Sequence, residues 1–171
     1  MNLIFFFTHQ CYTTYRVITM KNRRSNRFDK AISEIGFGAW QLGSPGGTWD
    51  KMTEEDGIYL VREAVKNGIT FFDTAPGYSD GNSERILGIA LKDVRNQVHI
   101  NTKIGHGPNG EYEFTKEGIK TSINRSLDKL QTTYLDSVIL HNPEQHILQG
   151  NTDLFDELNK YKTQGVINGY G

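Results

Sequence analysis

Four residues in the sequence carry side chains that together could transfer a proton. Asp73, Lys103 and His141 each follow a short apolar segment, and Tyr78 lies beyond a proline-glycine turn that follows Asp73. A phenol with an ordinary pKa of about 10 is a poor acid at pH 7, but a nearby ammonium group stabilises the phenolate. Lys103 could supply that ammonium, Asp73 could hold it in an ion pair, and His141 could hydrogen-bond the reacting oxygen. Such a set suits protonation of an oxygen atom as hydride arrives at its carbon.

Each of these residues also has a simpler interpretation. Asp73 could cap the turn that follows it, Lys103 could extend to solvent, and His141 could be a histidine at the edge of a loop. Lys103 could instead form a Schiff base, as in aldolase-type barrels. Tyr78 could pack on the surface.

Strands and helices are predicted to alternate from about residue 32 onward. Short apolar segments bounded by glycine, proline and polar residues predict strands, and apolar residues three and four positions apart predict helices. A threonine at 53, followed by three acidic residues, resembles a helix-capping box. The predicted strands are 35–40, 69–72, 98–102, 135–140 and 166–170, and the predicted helices are 53–66, 83–92, 115–130 and 152–162.

This alternation predicts parallel strands joined by right-handed crossovers. A doubly wound sheet and a (β/α)8 barrel both fit the pattern. A barrel needs about 250 residues and eight strands, whereas this chain has 171 residues. We therefore expect about five of the eight strands of a TIM barrel. Because the carboxyl ends of parallel strands meet at one edge, we expect Asp73, Lys103 and His141 to lie close together.

Several segments resemble the aldo-keto reductase family, and specifically its bacterial branch, which is related to channel β-subunits. The similarity extends over nearly all of residues 32–171. The segments that carry it are 68–78 (GITFFDTAPGY), 101–105 (NTKIG), 140–143 (LHNP), 33–40 (SEIGFGAW) and 81–88 (GNSERILG).

The resemblance implies a (β/α)8 barrel that uses NADPH to reduce an aldehyde or a ketone, so the expected partner is a small carbonyl substrate. By this resemblance Tyr78 is the proton donor, Lys103 and Asp73 tune it, and His141 orients the carbonyl group. The resemblance also implies residues that border the nicotinamide ribose of the cofactor, namely Ala39, Trp40 and Asp73.

The same resemblance implies that later strands supply further cofactor contacts, which are expected beyond Gly171. We expect residues 1–31 to be an amino-terminal extension outside the core, with Met20 as the true start, and residues 32–171 to be a barrel truncated after its fifth strand. The alternative function is a catalytically inactive fragment, or a non-enzymatic, partner-binding relic of the same fold. Open barrel edges predict self-association.

Composition argues against several other classes of protein. With 19 Lys and Arg against 20 Asp and Glu, the net charge is -1, so no general basic field predicts binding to nucleic acid or to a membrane. The apolar run 3–7 is too short for a signal peptide or a membrane span. The single cysteine, Cys11, excludes an internal disulfide framework and a cysteine-rich zinc site. A reducing, cytoplasmic location is the simplest expectation.

Two further motifs are weaker than they first look. Residues 105–110 fit G-x-G-x-x-G, but a proline and a polar segment intervene before the next helix, whereas a dinucleotide fingerprint opens a helix directly. His141 and His146 are five positions apart, which does not match the i, i+4 spacing of a helical metal pair. The remaining histidines, His9, His99 and His106, are predicted to be structural or solvent-exposed.

Overall fold

The structure is a computed structural model that describes residues 20–24, 30–47, 49–106, 114–150 and 153–171. The apolar run 3–7, Cys11 and most of the predicted extension lie outside these residues. Among the described residues, no helix is both long and apolar enough to span a membrane.

A four-stranded parallel sheet forms the centre of the structure. Its order is β3-β4-β5-β6, with β3 at Phe37–Gly38, β4 at Phe71–Asp73, β5 at His99–Ile104 and β6 at Ser137–Leu140. Residues 166–171 run parallel to β6 through two isolated bridges and a series of backbone hydrogen bonds. Each strand is followed by a crossover to the next, so the architecture is that of an incomplete (β/α)8 barrel, as predicted.

Helices cover the outer face of this sheet. The two longest begin at threonine caps, because Thr53 accepts a hydrogen bond from the backbone N–H of Asp56 and Thr115 accepts one from that of Gly118. Helix α2 packs closely on the end of α3, since a Cβ atom at Gly88 would lie 2.7 Å from the backbone of Leu130. The helices are α1 (Glu54–Lys66), α2 (Asn82–Leu91), α3 (Lys116–Lys129), α4 (Gln145–Leu148) and α5 (Leu154–Thr163), with 3₁₀ turns at Tyr78–Gly81 and Lys92–Val94.

The observed bounds of the strands differ from the predicted bounds where backbone pairing with the neighbouring strand sets them. The predicted strand 35–40 is reduced to the two residues of β3. The strand predicted to end at Lys103 continues to Ile104, because backbone pairing with β6 extends that far. Residues 166–170 align with β6 as isolated bridges, not as a continuous strand. Helix α4 was not predicted.

Alternation along the strands separates an apolar face from a polar one. Phe72, Ile100, Ile104 and Val138 are fully buried in the core, together with apolar residues of α1, α2 and α3. The residues between them point to the opposite face of the sheet, which becomes the interior of a closed barrel. On β5 those residues are His99, Asn101 and Lys103, so this interior is polar near β5.

A buried carboxylate, Asp136, holds the amino-terminal ends of β5 and β6 together. It forms ion pairs of 2.7 Å with Lys30 and with Arg95, and accepts a 3.0 Å hydrogen bond from the backbone N–H of Ile100. Lys30 also donates to the carbonyl oxygen of Val98 at 2.7 Å. The predicted boundary at residue 32 between extension and barrel stays a prediction. Lys30, on the extension side of this boundary, contacts the amino-terminal end of the sheet.

Segments on either side of Lys30 form a short antiparallel pair. Strand β1 (Asn22–Arg23) pairs with β2 (Ile32–Ser33). Ser33 and Thr70 exchange two hydrogen bonds between side-chain hydroxyl and backbone N–H groups, at 2.8 and 2.9 Å. These contacts fix the approach of the chain to β4.

The ion-pair cluster at Asp136 should dominate the stability of this end of the sheet. Replacing Asp136→Ala leaves two partly buried cations without a counter-ion, and removing one partner of such a group costs about 3–5 kcal/mol. Urea denaturation should show this loss in the free energy of unfolding. The control is Glu63→Ala, which removes the exposed ion pair with Lys66 and should cost less than about 1 kcal/mol. Equal losses for the two variants would contradict a structural role for the cluster.

Candidate active site

An ion pair between β4 and β5 lies at the centre of the candidate site. The Nζ atom of Lys103 is 2.7 Å from Oδ2 of Asp73 and 2.9 Å from the carbonyl oxygen of Thr74. The Lys103 side chain is 10% exposed and that of Asp73 is 35% exposed. The ammonium group is therefore sheltered from solvent, whereas the carboxylate faces the solvent-exposed opening at the carboxyl edge of the sheet. The pairing of neighbouring parallel strands produces this proximity. Asp73, the last residue of β4, pairs with Asn101 of β5, and Lys103 lies two residues further along β5.

Tyr78 lies above this ion pair. Lys103 Nζ is 4.8 Å from the centroid of the Tyr78 ring. The turn after the tyrosine is tight, since Ser79 and Asp80 both adopt left-handed backbone angles, with φ of 51° and 55°, before α2 begins. This turn places the tyrosine at the carboxyl edge of the sheet, where the sequence predicted it.

His141 completes the group of four predicted residues. Its ring is perpendicular to that of Tyr78, with centroids 6.1 Å apart. The ring of His106 lies 5.2 Å from that of His141. Partial burial lowers the pKa of His141, and the neighbouring Lys103 and His106 lower it further, while the carboxylate of Asp73 opposes them. The structure therefore brings Asp73, Tyr78, Lys103 and His141 to one edge of the sheet, although Lys103 lies within its strand and not at its end.

An aromatic wall borders the same opening. Trp40 is 51% exposed, and its ring lies 6.1 Å from Tyr78 and 5.3 Å from Trp49. Ala39 is buried, and its backbone N–H donates a 2.8 Å hydrogen bond to the carbonyl oxygen of Asp73. The loop after β3 therefore lies directly beside the ion pair.

Sequence reasoning missed three polar neighbours of the site. Asn101 donates a 2.8 Å hydrogen bond from Nδ2 to Oδ1 of Asp73, and Ser137 donates a 2.6 Å hydrogen bond to Oδ1 of Asn101. His106 was predicted to be structural or solvent-exposed, yet its ring contacts that of His141. Alternation was the available signal for Asn101, because it lies two residues before Lys103 and so faces the same side of the strand. The contacts of Ser137 and His106 depend on strand register and loop path.

The other motifs are not part of this group. Most of the segment 105–110 lies outside the described residues. His146 is mostly exposed and lies 3.1 Å from a carboxylate oxygen of Glu144. In the described parts of the chain, no group of three or more His, Cys, Asp or Glu side chains is arranged to hold a metal ion.

Comparison with known proteins identifies the family. The model of the aldo/keto reductase family matches residues 34–171. The chain belongs to the aldo/keto reductase family. L-Galactose dehydrogenase of Arabidopsis thaliana is 38% identical over 138 residues, which cover 78% of this chain and 42% of that protein. A probable voltage-gated potassium channel β-subunit of Oryza sativa is 30% identical over 131 residues, covering 73% of this chain and 38% of the other.

Solved aldo-keto reductases share the fold as well as the sequence. The structure of one from Klebsiella pneumoniae in complex with NADPH aligns with a TM-score of 0.70 and 27% identity, over 85% of this chain and 47% of that one. The chain thus spans about half the length of the aldo/keto reductases that it matches. These comparisons confirm the predicted family and fold.

Residues at the opening fit the nicotinamide ribose end of such a cofactor. Gly38 pairs with Asp73, and a Cβ atom at Gly38 would meet none of the described residues within 4 Å, so the position beside this strand pair is uncrowded. The exposed oxygen face of Asp73 can accept hydrogen bonds from ribose hydroxyl groups. The exposed indole of Trp40 offers an apolar surface to the ring.

The lowered pKa of His141 can be tested by titration. We expect the titration midpoint of His141 to lie below the ordinary histidine pKa of about 6.5. NMR spectra of histidine-labelled protein, recorded as a function of pH, measure this midpoint. Unfolding returns the pKa to its ordinary value, so protons favour the unfolded state, and the free energy of unfolding should fall as pH falls below about 6.5. The variant His106→Asn should raise the pKa of His141 because it removes a neighbour that lowers this pKa. A His141 midpoint at or above the ordinary value would show that burial and the neighbouring charges do not act on this ring.

Proposed function

We propose that the protein containing this chain reduces an aldehyde or ketone to an alcohol with NADPH, and that Tyr78 donates the proton. The observation that carries the proposal is the position of Lys103. Its ammonium group lies 4.8 Å from the phenol ring of Tyr78 while two acceptors hold it in place. An ammonium group at this position stabilises the phenolate left behind when the phenol gives up its proton.

Asp73 and Lys103 act together in this proposal. Asp73 neutralises the sheltered ammonium group and fixes its direction, so that the positive charge faces Tyr78. Both contacts of Lys103 Nζ are to hydrogen-bond acceptors, which suits a protonated amine that donates. A Schiff-base lysine must instead present a neutral amine to its substrate, so the geometry favours the reductase over the aldolase-type alternative.

His141 would orient the carbonyl group of the substrate. Its lowered pKa keeps the ring neutral at pH 7, and a neutral imidazole has one N–H that can donate to the carbonyl oxygen. Proton transfer is then left to Tyr78, whose ring is in edge contact with the histidine. The two side chains would converge on the same substrate oxygen.

NADPH would be held at its nicotinamide ribose end by Ala39, Trp40 and Asp73. When bound, it supplies the hydride that reaches the carbonyl carbon. Support comes from the uncrowded position beside Gly38 and from the NADPH complex of the Klebsiella pneumoniae relative. The fragment alternative predicts no reaction by this chain, and self-association through the sheet edges stays a prediction.

The role of Tyr78 is testable by removing one oxygen atom. In the active protein, Tyr78→Phe should lower kcat by about 10²–10⁴-fold, because the ring and its packing remain while the donated proton is lost. The Kd for NADPH should change little. The matched control is Tyr59→Phe on the outer face of α1, where the tyrosine is 67% exposed, and it should retain full activity. An unchanged kcat in Tyr78→Phe would remove Tyr78 from the role of proton donor.

Cofactor binding is testable on the chain of 171 residues itself. Titration with NADPH should quench the fluorescence of Trp40 saturably, because this indole borders the proposed ribose position. The matched pair of variants is Trp40→Phe and Trp49→Phe, each of which leaves one tryptophan. Trp40→Phe should lose most of the quenching, because the remaining Trp49 lies 5.3 Å from the position of Trp40 and further from Tyr78. Size measured on the same sample tests self-association. The absence of saturable quenching would favour the alternative of an inactive fragment.

A further inference from the structure

A chain of hydrogen bonds crosses the sheet interior and ends on the carboxylate of Asp73. His99 Nε2 lies 2.9 Å from the hydroxyl oxygen of Ser137. The Ser137 hydroxyl lies 2.6 Å from Oδ1 of Asn101, and Nδ2 of Asn101 lies 2.8 Å from Oδ1 of Asp73. Strands β4, β5 and β6 each contribute at least one member of this chain.

The donors in this series of hydrogen bonds can point in only one direction. An ionised carboxylate only accepts hydrogen bonds, so Asn101 must turn its NH₂ group to Asp73 and its oxygen to Ser137. The single hydroxyl hydrogen of Ser137 is then used on Asn101. The remaining contact of Ser137 must be one in which it accepts, so Nε2 of His99 carries a hydrogen.

Burial lowers the pKa of His99, and the positive charges of Lys30 and Arg95 lower it further. The carboxylate of Asp136 opposes these effects. His99 is 4% exposed and stacks on Phe71 with ring centroids 5.4 Å apart. A neutral imidazole has one N–H, and the hydrogen-bond chain assigns that hydrogen to Nε2.

We propose that His99, Ser137 and Asn101 are positioning residues that form a one-way donor chain and fix the carboxylate of Asp73 so that its second oxygen faces Lys103. The part of this proposal that concerns catalysis rests on the proposed function of Tyr78. The direction of the hydrogen-bond chain and the hydrogen on Nε2 of His99 follow from the hydrogen-bond geometry, whatever reaction the protein performs.

The Asp73 carboxylate needs these hydrogen bonds because its side chain is partly exposed. Its side chain is 35% exposed, so burial alone does not fix the orientation of the carboxylate. Asn101 occupies Oδ1 from within the sheet, and Asn101 is itself 6% exposed and held by Ser137. Oδ2 is thereby left for Lys103.

The first test is the tautomer of His99, read from nitrogen-15 NMR spectra at pH 7. We expect the Nε2–H form in the full chain, with the signal assigned by its loss in His99→Asn. Asn101→Leu does not alter His99, yet it frees the hydroxyl hydrogen of Ser137 to donate to Nε2. The population should therefore shift towards Nδ1–H.

Ile100→Val is the matched control, because it lies on the same strand with its side chain on the other face and should leave the tautomer unchanged. If Asn101→Leu does not fold, Ser137→Ala serves instead, since the ring then loses its Nε2 partner and the population of the Nε2–H form should fall. A His99 that is Nδ1–H in the unaltered chain would overturn the proposal. So would a tautomer that is the same in all folded variants.

The second test measures the link to catalysis in the active protein. Ser137→Ala should lower kcat by about 2- to 10-fold, corresponding to the loss of one hydrogen bond, with the KM of the carbonyl substrate little changed. Ser137→Thr keeps the hydroxyl and should restore kcat. A loss that threonine does not restore would overturn the positioning role. If the unaltered protein reduces no carbonyl compound, the proposed function fails, whereas the NMR test still decides the direction of the chain.

Discussion

The candidate site depends on one constraint, which is that the ammonium group of Lys103 is sheltered and must be compensated. A charge removed from water is costly unless it is paired and hydrogen-bonded. Asp73 and the carbonyl oxygen of Thr74 satisfy this requirement at 2.7 and 2.9 Å. Both acceptors come from the carboxyl end of β4, so the pairing of β4 with β5 and the position of the positive charge are fixed by the same contacts.

The two ends of the sheet use buried charge in different ways. At the amino end, the carboxylate of Asp136 is almost fully buried between Lys30 and Arg95, so each of these three charges has a partner and the carboxylate faces no opening. At the carboxyl end, the Asp73 carboxylate is partly exposed and Lys103 lies under the ring of Tyr78. The first arrangement suits stability, and the second leaves groups available to a ligand.

The sequence alone predicted the main features of this edge because parallel sheets impose a simple geometry. A polar residue at the end of an otherwise apolar segment is costly unless it has a partner, and the ends of neighbouring strands meet. That argument located Asp73, Lys103 and His141 together. The spacing from Asp73 to Tyr78 was informative for the same reason, since the proline-glycine turn returns the chain to the edge of the sheet.

What the sequence could not supply was register and loop path. Ser137 reaches Asn101 only because β5 and β6 pair with Asn101 opposite Ser137, and a shift of one residue would turn the hydroxyl to the outer face. The contact of His106 with His141 requires a particular course of the chain after β5, where Gly105 adopts a φ of 102° and its position against the ring of Phe114 leaves no room for a side chain. Backbone pairing likewise sets the short β3, which propensity would lengthen.

These contacts, which depend on strand register, show that polar side chains on the interior face are held by side chains of neighbouring strands. A polar residue in a barrel interior must find its partner on the next strand, because alternation separates it from its neighbours in sequence. Asn101 meets this need twice, by donating to Asp73 on one side and accepting from Ser137 on the other. The orientation of Asp73 is therefore determined by β6 as well as by its own strand. Consequently, the geometry around Lys103 depends on residues of three strands, and loss of the Asn101 or Ser137 side chain would alter the carboxylate that holds the ammonium group.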